Sequence, residues 1–191
     1  MKVKAYLEIY DEGGRLLHKQ ECRSFLANWM RIIYYSMRGE WIEVIAQDGG
    51  SSTIYSTSDV GEVFNVRAGA GDDMYGILVG SGTKAVEATD YCLESKIPHG
   101  SGTAGALEYG DTAVGALYVD GTRARFEITR TFTNSSGGDI TISEVGLAVQ
   151  GYDRFSGKDT SPLVERTVLD SPITVPDGSS ITIKYTLEVT V

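Results

Sequence analysis

The stretch from Ile181 to Val191 constrains the fold most. Ile181, Ile183, Tyr185, Leu187, Val189 and Val191 alternate with Thr182, Lys184, Thr186, Glu188 and Thr190. A period of two puts all six apolar side chains on one face of a β-strand, whereas a helix would scatter them around its axis. The same period recurs at the N-terminus, where Val3, Ala5, Leu7 and Ile9 oppose Lys4, Tyr6, Glu8 and Tyr10. It recurs again over Arg123 to Thr133, with Ala124, Phe126, Ile128 and Phe132 sharing a face. Arg130 falls on that apolar face, which predicts a place near the strand end or a carboxylate partner.

Turn chemistry divides these strands. Asp11-Glu12-Gly13-Gly14 predicts a hairpin that returns over Arg15 to Gln20. Tyr75 to Gly80 reads as a short buried strand stopped by Ser81-Gly82. Asn134 to Asp139 is a turn, and Ile140 to Val149 is the strand that follows it. Asp153 to Ser161 reads as a polar loop and Leu163 to Leu169 as a strand. Pro172 to Val175 then leads into the turn Pro176-Asp177-Gly178. Strands separated by turns in this way predict an all-β fold, a β-sandwich or jelly roll, rather than a parallel α/β sheet.

One helix interrupts the pattern. Ser24 is placed to cap a helix over Phe25 to Arg38, with Phe25, Leu26, Trp29, Met30, Ile33 and Met37 as its apolar stripe and Gly39 at its C-terminal end. Between it and the sandwich, Trp41 to Ala46 and Glu62 to Val66 read as short strands. Gln47 to Gly61 and Ala68 to Asp73 read as loops. The division expected is an N-terminal hairpin and helix over 1–40, a loop-rich insertion over 41–74 and a β-sandwich over 75–191, packed as one unit.

Composition narrows the function classes. A hydrophobic share of 41% supports a core without staples, and 23 glycines without a period fit β-turns. The formal net charge of −9 disfavours a direct nucleic-acid partner, since phosphate binding needs clustered cations. Arg123, Arg125 and Arg130, interrupted by Glu127, make the densest basic stretch. The apolar run around Trp29 to Met37 is broken by Arg31 and too short for a bilayer. With no apolar signal core after Met1, the chain reads as a cytoplasmic product without a membrane partner.

Sites of chemistry are sparse. Cys22 and Cys92 read as two free, buried thiols. His18 and His99 lack metal-ligand spacing, and a site joining His99 to Cys92 is disfavoured on the same ground. Gly80-Ser81-Gly82-Thr83-Lys84 and Gly100-Ser101-Gly102-Thr103 only faintly resemble phosphate loops; their glycines read as turn residues with positive φ. Asp72 and Asp73 fit no calcium loop. Most of the 11 tyrosines, including Tyr6, Tyr10, Tyr34, Tyr35 and Tyr185, fall in predicted strands or the helix, where packing explains them. No catalytic residue, metal ligand or cofactor is assigned.

Several segments together carry a resemblance. They are Phe126-Glu127-Ile128-Thr129-Arg130-Thr131-Phe132-Thr133-Asn134, Ile142-Ser143-Glu144-Val145-Gly146-Leu147, Leu163-Val164-Glu165-Arg166 and Val175-Pro176-Asp177-Gly178-Ser179-Ser180-Ile181. With Gly76 to Gly80 and Asp90-Tyr91-Cys92-Leu93, this pattern over residues 75–191 resembles virion structural proteins of tailed bacteriophages and archaeal viruses, among capsid decoration, fibre and tail components. The resemblance implies a non-enzymatic protein of the virion, made in the host cytoplasm, that forms a symmetric homo-oligomer such as a trimer and docks on other capsid or tail proteins. The hairpin, the loop Gln47 to Gly61 and the terminal strand are the expected docking elements. The terminal strand either completes a neighbour's sheet or sits centrally in its own. A receptor- or carbohydrate-binding module is the alternative, and a small hydrolase a third reading.

Overall fold

The computed structural model describes residues 2–22, 24–38, 40–54, 65–153 and 155–190. Its longest sheet is built around the alternating C-terminal strand. Ser180–Thr190 (β13) pairs antiparallel with Lys2–Asp11 (β1) on one side and with Arg123–Thr133 (β8) on the other, each along its whole length. Both hydrogen-bonding edges of β13 are therefore occupied within the chain. Of the two alternatives for this strand, a place on a neighbour's sheet or a central place in its own, the structure has the second. Leu16–Cys22 (β2) continues the sheet beyond β1, and Glu108–Val114 (β6) and Tyr118–Asp120 (β7) both pair with β8. The N-terminal hairpin is thus part of this sheet, not a separate layer beside it.

A second, antiparallel sheet has the order Leu163–Val175 (β12), Ile140–Ala148 (β9), Gly76–Gly80 (β5). All five residues of β5 are buried, as its continuous apolar run predicts. β12 is one strand where the sequence reads two segments. The register slips between Val168 and Ile173, so the bulge takes up Pro172, which has no N–H to give a ladder. Side chains from both sheets meet in one core that includes Leu7, Ile9, Phe132, Ile183, Ile77, Val145 and Val164. This is the all-β sandwich arrangement, with a single helix among the described residues.

A third, small sheet joins Lys158–Thr160 (β11), Gly151–Asp153 (β10), Ser51–Ile54 (β4) and Ile42–Ile45 (β3). Two expected loops therefore contain strands. Within Gln47 to Gly61, Ser51–Ile54 pairs with β3 across a turn in which Gly49 has φ +85°. Within Asp153 to Ser161, β11 folds back on β10. Only Ser52 and Ile54 of β4 are buried, and a serine at an inward position hides the alternation. Of Glu62 to Val66, residues 62–64 lie outside the described residues, as do 55–61 of the expected loop. Asn65 and Val66 are not strand.

The helix α1 spans Ala27–Arg38, two residues shorter at its start than expected. Ser24 does not cap it. Phe25 bridges to Glu165, the Leu26 N–H donates to Val164 O at 2.9 Å, and the Arg166 N–H donates to Ser24 O at 3.3 Å. Pairing with the edge of β12 thus claims the segment expected to open the helix. Gly39 lies outside the described residues. The stripe is also rotated: Asn28 and Ile32 are buried, while Met30 and Met37 are exposed. Asn28 sets that rotation. Its amide donates to Ile45 O at 2.8 Å and Leu163 O at 3.2 Å, and its oxygen accepts from the Ile45 N–H at 3.0 Å. These bonds tie the helix to β3 and β12. Among the described residues, no helix is long and apolar enough to cross a membrane.

Arg130 sits three residues from the end of β8, and no carboxylate among the described residues pairs with it. It is 1% exposed, and its five N–H groups are used on carbonyl oxygens. Nε donates to Gly110 at 2.8 Å, Nη1 to Tyr75 and Ile77 at 3.1 and 3.0 Å, and Nη2 to Gly69 and Asp72. The Tyr109 ring lies 4.8 Å from the guanidinium carbon. A guanidinium can be buried this way because its planar fork meets several irregular backbone carbonyls at once.

Candidate functional site

The two sheets close unevenly. On β8 and β13, Phe132, Ile183 and Tyr185 are fully buried, but Phe126 and Leu187, further along the same strands, are only half-buried. There the sheets stand apart around a cleft of about 570 Å³. Trp29 and Ile33 of α1 form one wall, with Phe126 and Leu187 from the first sheet and Leu147 and Val164 from the second. Asn65 and Arg67 are the polar members of the lining. The Asn65 amide is used on Gln150 Oε1 at 2.7 Å, and Arg67 is exposed. Among the described residues, the lining contains no acid, histidine or cysteine, so these residues can bind an apolar group but supply no proton-transfer pair.

The outer face of the second sheet carries a buried ionic cluster. Glu144 on β9 and Arg166 on β12 lie diagonally on one face and meet at 2.7 Å. Glu144 also accepts from the backbone N–H groups of Gly82, Glu94 and Ser95. Arg166 reaches Asp90 at 2.8 Å and Lys84 O at 3.1 Å. Glu94 takes the N–H groups of Thr83 and Lys84, both at 2.6 Å. Together these bonds fasten the connection 81–96 over the sheet.

The inner face carries a different acid. Glu165 of β12 is 1% exposed and accepts from Tyr185 Oη at 2.5 Å and from the Thr167 hydroxyl, and no cation among the described residues pairs with it. Burial pushes its carboxyl up to about 7, which the two hydroxyl bonds only partly offset. The neighbouring Cys22 thiol is raised by burial and by the Glu165 charge.

The residues singled out in the sequence fall apart in space. His18 lies on β2, its Nε2 3.0 Å from Gln20 Oε1. His99 lies beside β6, at the opposite edge of the same sheet, where its Nδ1 accepts from the Tyr109 N–H at 3.1 Å. Neither lines the cleft. Cys22 and Cys92 are both free; Cys22 is buried but Cys92 only half-buried, because it lies in the connection over the sheet and not within it. Among the described residues, no three His, Cys, Asp or Glu side chains converge to hold a metal. Asp73 instead pairs with Lys96 and takes the His99 N–H, and Asp72 accepts the Met74 N–H.

The glycines of Gly80 to Lys84 are not turn residues with positive φ. A Cβ on Gly80 would lie 2.5 Å from Glu144 Oε1, so close approach of the buried carboxylate demands glycine. The backbone N–H groups that made this segment look like a phosphate loop are filled by Glu94 and Glu144. In the second such segment, Gly102 has φ +61° as expected, whereas Gly100 does not have positive φ. Among the tyrosines, Tyr185 is buried as a packing residue, but Tyr34 is 54% exposed. Tyr6 and Tyr10 lie on the outer face under lysine ammonium groups.

Sequence reasoning missed the cleft and both buried acids. Glu144, Glu165 and Arg166 did carry a signal, being charges inside otherwise apolar strands. The cleft carried none, since half-buried and fully buried apolar residues are spelled alike. Compared with known proteins, the chain matches no family model, no curated protein and no solved structure.

Proposed function

We propose that this chain is a non-enzymatic structural component of a tailed-virus particle, a capsid decoration or tail protein that acts by self-association and by docking on other virion proteins. One observation carries the reading: large apolar side chains stand exposed on particular elements. Met30, Tyr34 and Met37 share the outward face of α1, and Met37 is 84% exposed. Leu117 and Val119, at and beside β7, are 66% and 65% exposed. Apolar surface of this kind is what interfaces cover. The all-β framework is compatible with this reading, and the sequence resemblance over residues 75–191 is what suggests it. The test is sedimentation of the purified chain together with its copy number in purified particles. A closed oligomer that Met37→Asp or Leu117→Asp dissociates supports the proposal. A monomer at high micromolar concentration, absent from particles, overturns it. Hundreds of copies would place it on the shell, and small multiples of three or six at the tail or a vertex.

A second reading rests on a separate observation. Trp41 and Phe155 are both exposed, and their rings lie edge-on at 6.1 Å beside the small sheet. Paired exposed rings suit a receptor or sugar. A glycan array with Trp41→Ala and Phe155→Ala tests this; binding that neither substitution alters counts against it.

A further inference from the structure

We propose that the cleft between the two sheets binds the chain of a fatty carboxylate, with Arg67 holding the carboxylate at its mouth. Protein interiors are packed to the density of organic crystals, and voids larger than a water are few. An opening of about 570 Å³ walled by Trp29, Ile33, Phe126, Leu147, Val164 and Leu187 is of the size that small apolar ligands occupy. Its walls come from both sheets and the helix, so the site is a product of the fold and not of a single loop.

Charge selects among apolar ligands. Among the described residues, Arg67 is the only ionisable one in the lining, and no carboxylate among them lies within ion-pair distance of it. An anionic head group gives that guanidinium a bidentate partner. The net charge of −9 opposes the approach of any anion. The apolar chain therefore supplies most of the affinity, and Arg67 sets polarity and orientation.

Trp29 provides the probe. In a Trp41→Phe background it is the only tryptophan, since the chain has two. Titration with 12-bromododecanoate below its micellar concentration is expected to quench Trp29 saturably at one ligand per chain. Ile33→Phe, which fills the cleft from a half-buried position, is expected to abolish that quenching. Arg67→Glu, at an exposed position remote from folding, is expected to weaken the carboxylate about tenfold, to leave dodecanol unchanged and to improve binding of dodecyltrimethylammonium. Absence of saturable quenching overturns the site. Quenching that Arg67→Glu leaves unchanged overturns the ligand class. Should Ile33→Phe fail to fold, the charge reversal at Arg67 still decides.

Discussion

Glu144 and Glu165 lie on adjacent strands of the same sheet, and both are essentially inaccessible to water. Their surroundings differ. Glu144 points outward, meets Arg166 and takes three backbone N–H groups. Glu165 points inward toward β13 and meets only two hydroxyls. A buried carboxylate keeps its charge when a cation and directed N–H bonds replace its hydration, and takes up a proton when they do not. The outer acid thus works as a clamp on the connection 81–96. The inner acid is a neutral hydrogen-bonding group at moderate pH.

Removing the cation tests the clamp and has the largest expected effect. Arg166→Met leaves Glu144 buried without its ion pair, and is expected to cost about 3–5 kcal/mol of unfolding free energy. Denaturant titration measures this, and hydrogen exchange should show amides 82, 83, 84, 94 and 95 losing protection first. Adding Glu144→Gln should restore part of the loss, because the orphaned charge then disappears. No recovery would mean that packing, not charge, dominates at this site.

The inner acid is expected to write itself into the pH profile. Its folded value of about 7 lies above the ordinary 4.5, so between those values the folded chain holds a proton that the unfolded chain has released. Stability therefore falls as pH rises from about 4.5 to about 7, by about 3 kcal/mol across the window. Thermal melts of Glu165→Gln should lose this slope. A slope retained in that variant would assign it to another group.

The sequence displayed β8 to the residue, and β13 with its start one residue late, because their alternation reports a sheet with one face in the core. It hid β4 and β11 because their inward positions include Ser52 and Thr160, whose polarity reads as loop. It misplaced the helix stripe because an asparagine, not an apolar residue, anchors α1 to two neighbouring strands. Arg130 shows the same limit. Its place on an apolar face was legible, but its partners are carbonyls from distant turns that no local pattern announces. Arg130→Lys keeps the charge and has three donors for five carbonyls, so a loss of about 2 kcal/mol is expected in denaturant titration. A loss below 0.5 kcal/mol would mean that water satisfies the remaining carbonyls.

A third acid sharpens the contrast from the solvent side. Glu8, on the outer face of β1, receives the Lys19 and Lys184 ammonium groups, each at 2.8 Å. Partial burial would raise its carboxyl, but the hydrogen bonds from Lys184 and Lys19 outweigh that and bring it down to about 2. Its contribution is therefore present above the ordinary value of 4.5 and is lost as pH falls toward 2, the reverse of Glu165. Because the lysines are partly exposed and screened, the amplitude is at most about 1 kcal/mol and shrinks in 1 M salt. The two acids together place a stability maximum near pH 4.5, where Glu8 is still ionised when folded and Glu165 is not yet penalised. Glu8→Gln should make the acid limb shallower, the rest belonging to acids such as Asp153, which backbone N–H groups also hold at about 2, and Glu165→Gln should act only on the limb above it. A Glu8→Gln profile that also loses the upper slope would show that the two sides of the sandwich titrate as one coupled system.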